Sequence, residues 1–369
     1  MWNKKGFTLI ELLAVIVILA VIALIATPLI MNTIEDAKKG AAKNSVYGII
    51  AAGELKHTKD DSAKDFNHTV TYTERSGLEY KGSKVNKFVL QLDKNGKSLF
   101  QGFVDGFCFV KQFEDRAVQI DESKKTASTC VTMIVPESFE TDSWETIIKA
   151  VKEKNTSVYK IGDRKEISLE GLGNFTIRIA NNSTPTECGQ SGFSESACGF
   201  VIEFEDIITT HRINESDTNA GGWSASEMRS YLNDELLNAF PEVLRNHIID
   251  TTVVSGHGNM ENTNLISTDK IYLLSIAEIY GKENISSATV DDSAKEVTRQ
   301  LDYYKEKFQE TNDYSSAIKT NINGNATLWW LRSANALNNR SFYLIHVRGD
   351  WRSWAASGNN AVAPAFRLG

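Results

Sequence analysis

The chain has no long basic run. Its 40 Lys and Arg are interspersed among 47 Asp and Glu, for a net charge of -7 over 369 residues. That balance argues against a nucleic-acid surface, which needs clustered positive charge. Catalytic signatures are missing too: neither H-E-x-x-H nor G-x-S-x-G occurs, the six histidines are scattered, and no Cys-His signature is visible. Ser255-Gly256-His257-Gly258-Asn259 reads as a flexible loop with a lone histidine. No enzyme is therefore indicated, and no cofactor. Cysteine is scarce, and its four residues lack the C-x-x-C spacing of zinc and redox motifs. Four cysteines allow three pairings. In an exported chain they read as two local disulfides, Cys108 with Cys130 and Cys188 with Cys198, each constraining the unfolded chain by about 2–4 kcal/mol. Gly96-Lys97-Ser98 imitates the end of a phosphate-binding loop, but Gln91 stands where the first glycine is required. A calcium loop beginning at Asp93 fails because Val104 occupies its twelfth position. Internal repeats and long low-complexity segments are also missing.

What is present is ordinary globular composition, 41% hydrophobic and 24% charged, at a length that allows two or three domains. The strongest signal lies at the start. Residues 1–6 form a short basic leader with Lys4 and Lys5, and the stretch from Leu12 to Met31 then carries no charge. Twenty residues at 1.5 Å rise make a helix of about 30 Å, the thickness of a bilayer's hydrocarbon. One membrane span follows, with Lys4 and Lys5 holding the N-terminus in the cytoplasm and the chain beyond it outside. A secretory signal is cut after its apolar stretch, whereas Gly6 stands before this one. A plain anchor has no use for Glu11, because a carboxylate within a membrane helix is costly and usually partnered.

Lys5-Gly6-Phe7-Thr8-Leu9-Ile10-Glu11-Leu12-Leu13 resembles the processing motif of type IV prepilins and of the pseudopilins of type II secretion and DNA uptake. The resemblance implies cleavage by a membrane prepilin peptidase between Gly6 and Phe7, and N-methylation of Phe7. It also implies that Glu11 pairs with the freed ammonium of a neighbouring subunit, which sets register more than it adds stability. Pro28 lies where such pilins carry a helix-bending proline, which removes one hydrogen bond. The implied partners are prepilin peptidase, other pilin subunits and, before assembly, membrane lipid. Nucleic acid enters only if the filament serves DNA uptake.

Beyond the span, Ile30, Ile34, Ala37, Ala41, Val46, Ile49 and Ile50 recur at helical spacing, so one helix is expected from about residue 8 to 57, amphipathic in its second half. Residues 70–120 supply strand-like runs to cover it: 70–74, 87–92 and 103–109, with a hairpin turn at Asp93-Lys94-Asn95-Gly96. In pilins such a cover is a small antiparallel sheet, and Cys108 with Cys130 would staple the end of this head. Pro136-Glu137-Ser138 breaks the pattern, and Asp142-Ser143 can cap a short helix from Trp144 to about Glu153. The expected organisation is a leader at 1–6, a transmembrane and amphipathic helix at 7–57, a pilin head at 58–135, a linker with a short helix at 136–156, and a surface module at 157–369.

That module carries five of the seven tryptophans. Ser224 to Phe240 is helical in pattern, Ile271 to Ile279 is apolar, and the end is strand-like, so an α+β domain is expected whose late strands need partners from its start. Tyr159-Lys160-Ile161-Gly162, Asn219-Ala220-Gly221-Gly222-Trp223, Met228 to Leu232, Trp329 to Ser333 and Ala363 to Leu368 resemble a domain of unknown function in Gram-positive surface proteins. The closing order, a Trp-rich strand, a variable loop and a terminal Pro-Ala-Phe-Arg strand, is similar to C-type-lectin-like folds. The sugar motifs E-P-N, Q-P-D and W-N-D are absent, so calcium-dependent sugar binding is unsupported, and no metal site is expected. Trp351 and Trp354 are candidate stacking surfaces for an unknown surface ligand, set against core filling, and Arg332 a candidate ligand contact, set against bracing a loop. The expected function is a minor subunit of a type IV pilus or related filament, presenting a recognition or adhesion module at the cell surface. A pseudopilin of a secretion or DNA-uptake machine and a membrane-tethered enzyme are the alternatives.

Overall fold

Apolar spacing decides where the first helix buries itself. In the computed structural model, which describes residues 9–60, 69–83, 85, 87–93, 95–133, 135–285 and 292–369, helix α1 runs unbroken over Leu9–Asp60. It passes Pro28 without a break, and just before it the Thr27 hydroxyl donates to the Ala23 carbonyl one turn back at 2.6 Å. In the second half Ala42, Val46, Ile49 and Ile50 fall on one stripe and are buried. Each large member of that stripe contributes about 1.5–3 kcal/mol on burial.

The stripe is covered by an antiparallel meander in sequence order: β1 (Val70–Thr73), β2 (Lys87–Leu92), β3 (Ser98–Val104), β4 (Phe107–Lys111) and β5 (Gln119–Ile120). Phe88, Leu90, Leu92, Phe100 and Phe109 meet the helix in one core. The strand expected over 103–109 is two strands. Asp105 and Gly106 take φ of 50° and 92° and turn the chain between β3 and β4, as an Asp-Gly pair does in a tight hairpin. A short helix, α2 (Ala127–Cys130), is held by a Thr126–Thr129 capping box, and Cys130 bonds Cys108 of β4.

The chain divides between Val135 and Pro136. Residues 136–156, read from the sequence as a linker, send Phe139, Ile147 and Ala150 into the second unit's core. Their helix α3 (Trp144–Lys152) starts where Ser143 Oγ accepts from Thr146 N at 3.3 Å.

Among the described residues, two five-stranded sheets and one hairpin build the second unit. The first sheet combines early strands β6 (Arg164–Leu169), β7 (Gly173–Asn181) and β8 (Phe200–Phe204) with the late β12 (Ile271–Tyr272) and β17 (Ala365–Leu368), in the order β12-β17-β8-β7-β6. The C-terminal strand thus completes a sheet begun almost 200 residues earlier, Phe366 facing Ile202. The second sheet has the order β15-β14-β13-β16-β9, from β9 (Thr209–His211), β13 (Trp329–Ala334), β14 (Ser341–Ile345), β15 (Trp351–Ala355) and β16 (Asn360–Val362). All pairs are antiparallel except β13 with β16. Every residue of β8 and β13 is buried, the charged Glu203 and Arg332 included. Strands β10 (Thr251–Gly258) and β11 (Glu261–Asp269) form the separate hairpin, so the loop expected at 255–259 is strand up to Gly258.

The helix expected over 224–240 is broken. A 3₁₀ turn, α4 (Glu227–Ser230), a wide π-type turn and a second 3₁₀ turn follow one another, and α5 (Glu242–Arg245) comes after Pro241. Helices α6 (Ile276–Tyr280) and α7 (Asp302–Thr311) complete the unit.

The Asn219–Trp223 and Met228–Leu232 segments brace the interior. Gly222 sits at φ 52° with its α-carbon so close to β10 that an added Cβ would lie 1.9 Å from the Gly256 carbonyl. Fully buried Asn219 donates to the carbonyls of Asn335, Asn338 and Ser341 and accepts from Asn259 N. Trp223 Nε1 and Arg229 Nε both donate to Asp269, at 2.8 and 2.5 Å.

Candidate assembly and recognition sites

In the first half of α1 the apolar residues find no cover from the sheet. From Leu9 to Ile25 and from Ile30 to Ile34 its large apolar side chains are exposed, Leu24 by 78%. An uncovered apolar surface of this extent calls for lipid or another protein. The helix is long and apolar enough to cross a membrane. Glu11 lies in its first turn, and Pro28 interrupts its backbone donors two-fifths of the way along. Lys4, Lys5, Gly6 and Phe7 lie outside the described residues.

In the second unit the structure separates the candidate ligand residues. Arg332 is a correction to the sequence reading: it is 1% exposed, and its guanidinium holds both Glu278 oxygens at 2.5 Å and the Leu273 carbonyl at 2.8 Å. No surface ligand reaches it. Glu278 also caps α6 by accepting from Ser275 N, and takes hydroxyl donors from Ser196 and Thr298. Burial alone would raise the Glu278 pKa, but the Arg332 charge and these donors outweigh it and hold the carboxyl below its ordinary range. Trp329 and Trp330 are buried in β13. Trp351 is partly buried, its ring 4.6 Å from Tyr280 and 6.0 Å from Tyr314. Trp354 stays about half exposed, at 49%, on edge strand β15.

A second buried charge cluster joins the first sheet to α7. Glu203 Oε1 accepts from Arg178 Nε at 2.8 Å, and its Oε2 accepts from Lys319 Nζ at 2.9 Å and Tyr304 Oη at 2.8 Å. Arg178 also lies 3.9 Å from the Tyr303 ring centre. Burial drives Lys319 down to about 8, with Arg178 adding to the fall and Glu203 opposing it. Because the unfolded lysine keeps its ordinary, higher pKa, the unfolded chain binds more protons between pH 8 and 10, and this group makes stability rise across that window. Urea unfolding of the detergent-solubilised chain at pH 8 and 9.5 is expected to show that rise, at most about 1.4 kcal/mol per pH unit. Lys319→Met should abolish it, and an equal rise in both proteins would refute the assignment.

Sequence reasoning missed a groove beside α7. Two adjoining pockets of about 470 and 450 Å³ meet at Gln300 and Lys305. Phe193 lines the first, and Phe308 and Tyr314 line the second. The Cys188–Cys198 disulfide closes the loop that carries Phe193. Across the first pocket Lys282 pairs with Glu296 at 3.4 Å and Arg299 with Glu187 at 3.8 Å. No local motif marks this groove, because its residues come from turns around 187–193, 281–284, 296–300 and 312–314 and from α7. Among the described residues, no group of three or more His, Cys, Asp or Glu is placed to hold a metal ion.

Comparison with known proteins divides along the chain. Residues 3–27 match the prokaryotic N-terminal methylation motif, and residues 200–369 match a domain of unknown function, DUF6273. The second match begins at β8, so β6 and β7 precede it although they share its sheet. No curated protein and no solved structure matches the chain. With that motif leading into an uncovered apolar helix and an α+β unit closing the chain, the protein is type IV pilin-like at its N-terminus and ends in this domain of unknown function.

Proposed function

We propose that the chain is a low-copy, pilin-like subunit that carries its second unit as a recognition module near the tip of a type IV pilus or related filament. The observation that carries this reading is the methylation motif continuing into an apolar half-helix that the chain's own sheet leaves bare. Neighbouring helices would cover that surface after assembly, as lipid covers it before. Glu11 would meet the Phe7 ammonium of the next subunit, a pairing that fixes axial register because a mismatch strands a charge in apolar surroundings. The motif implies prepilin peptidase and other pilins as partners. Bulk supports the low copy number: residues 136–369 form a folded unit beyond the pilin head, and a long array repeating at close spacing has little room for it. Immunogold labelling against residues 136–369 on native filaments is expected to mark ends sparsely. Continuous labelling along the shaft would reject the minor-subunit reading.

A further inference from the structure

We propose that the groove beside α7 binds a short glycan of uncharged or charge-balanced sugars, an inference that rests on reading the second unit as a recognition module. Each pocket is of a size that takes a small ligand, and the pair, joined at Gln300 and Lys305, takes a short oligomer. Aromatic rings stand at both ends, Phe193 in one pocket and Phe308 with Tyr314 in the other. Such rings present an apolar face to the C–H face of a sugar ring at low entropic cost. Trp351 and Tyr280 pack behind Tyr314 and fix its plane. Between the rings lie amide, carboxylate and guanidinium groups, which supply donors and acceptors together, as adjacent hydroxyls require.

Charge narrows the ligand. The groove has no cation surplus: Glu187, Glu283, Glu296 and Asp313 stand against Lys282, Arg299 and Lys305, the last shared by both pockets. A polyanion such as nucleic acid would need a surplus of cations here. A peptide strand fits poorly, because among the described residues no β-strand lines either pocket and so none offers a backbone edge for pairing.

The test uses the full chain in detergent micelles, titrated with chitotetraose, cellotetraose, maltotetraose and mannotetraose, followed by ligand-observed NMR and calorimetry. Saturable binding of at least one tetrasaccharide is expected, weakened about tenfold or more by Phe193→Ala. Gln190→Ala and Gln309→Ala serve as second variants; both residues are exposed, so each should weaken binding while leaving thermal unfolding unchanged. The inference is overturned if none of the four sugars binds, if binding is indifferent to all three variants, or if a random dodecapeptide library competes at the groove where the sugars do not. Cell adhesion separates the two readings. Adhesion that needs residues 136–369 without sugar binding sinks the groove assignment alone. Sugar binding with adhesion unaffected by deleting the unit leaves the groove standing and sinks the recognition role in adhesion.

Discussion

Glu278→Ala is expected to destabilise the second unit by about 3–5 kcal/mol, a large share of the 5–15 kcal/mol that holds a typical domain together. The size follows from what the truncation leaves behind. Arg332, 1% exposed, would keep its charge with the Leu273 carbonyl and the Ser196 hydroxyl as neutral hydrogen-bond partners and no carboxylate bonded to it among the described residues. Helix α6 would lose the reciprocal half of its capping box, in which Glu278 Oε2 accepts from Ser275 N at 2.8 Å. Much of the loss is the cost of an uncompensated buried charge, so the double variant Glu278→Met with Arg332→Met should recover a good part of it. Chemical denaturation of the three proteins checks the argument. A single-variant loss below about 1 kcal/mol would mean that water reaches Arg332 and that the pair behaves as a surface one.

Substituting Gly6 by Val is expected to block maturation outright. The proposed cleavage places an extended Lys5-Gly6-Phe7 segment in a protease cleft, where a β-branched side chain adds bulk and stiffens the backbone that glycine leaves free. Intact-mass analysis of the wild-type protein from its native cells should show a chain beginning at methylated Phe7. The variant should retain residues 1–6, remain in the membrane and be missing from filaments. Glu11→Val, by contrast, should be cleaved normally and then fail to assemble, which separates processing from register. Wild-type protein that functions with residues 1–6 still attached would leave only a membrane-tethered ectodomain.

The parts legible in the sequence were those governed by local period and punctuation. The strand-like run 87–92 matches β2, Ser143 caps α3, and the long apolar run is α1. Where the reading failed, either a local signal was masked by its neighbours or contacts distant in sequence prevailed over local pattern. Asp105-Gly106 was a visible hairpin signal, yet the aromatic residues on both sides masked it as one strand. Leu232 and Leu236 kept helical spacing, but packing with β12 and the Pro241 stop turned one helix into a series of unlike turns. For Arg332 the sequence left ligand contact and bracing open, because its partner Glu278 lies 54 positions away. The groove shares that opacity, since Phe193 and Tyr314 come together only in the fold. The methylation motif is the opposite case, because a peptidase reads extended sequence before any fold matters.

Both disulfides join each cysteine to the next one along the chain, at separations of 22 and 10 residues, and each lies within a single unit. For a polypeptide that emerges from a membrane in sequence order, the correct partner is then the first one available. With the proposed orientation, Cys108 would meet Cys130 before Cys188 is exported, so an oxidant acting during translocation would favour the native pairing over mixed isomers.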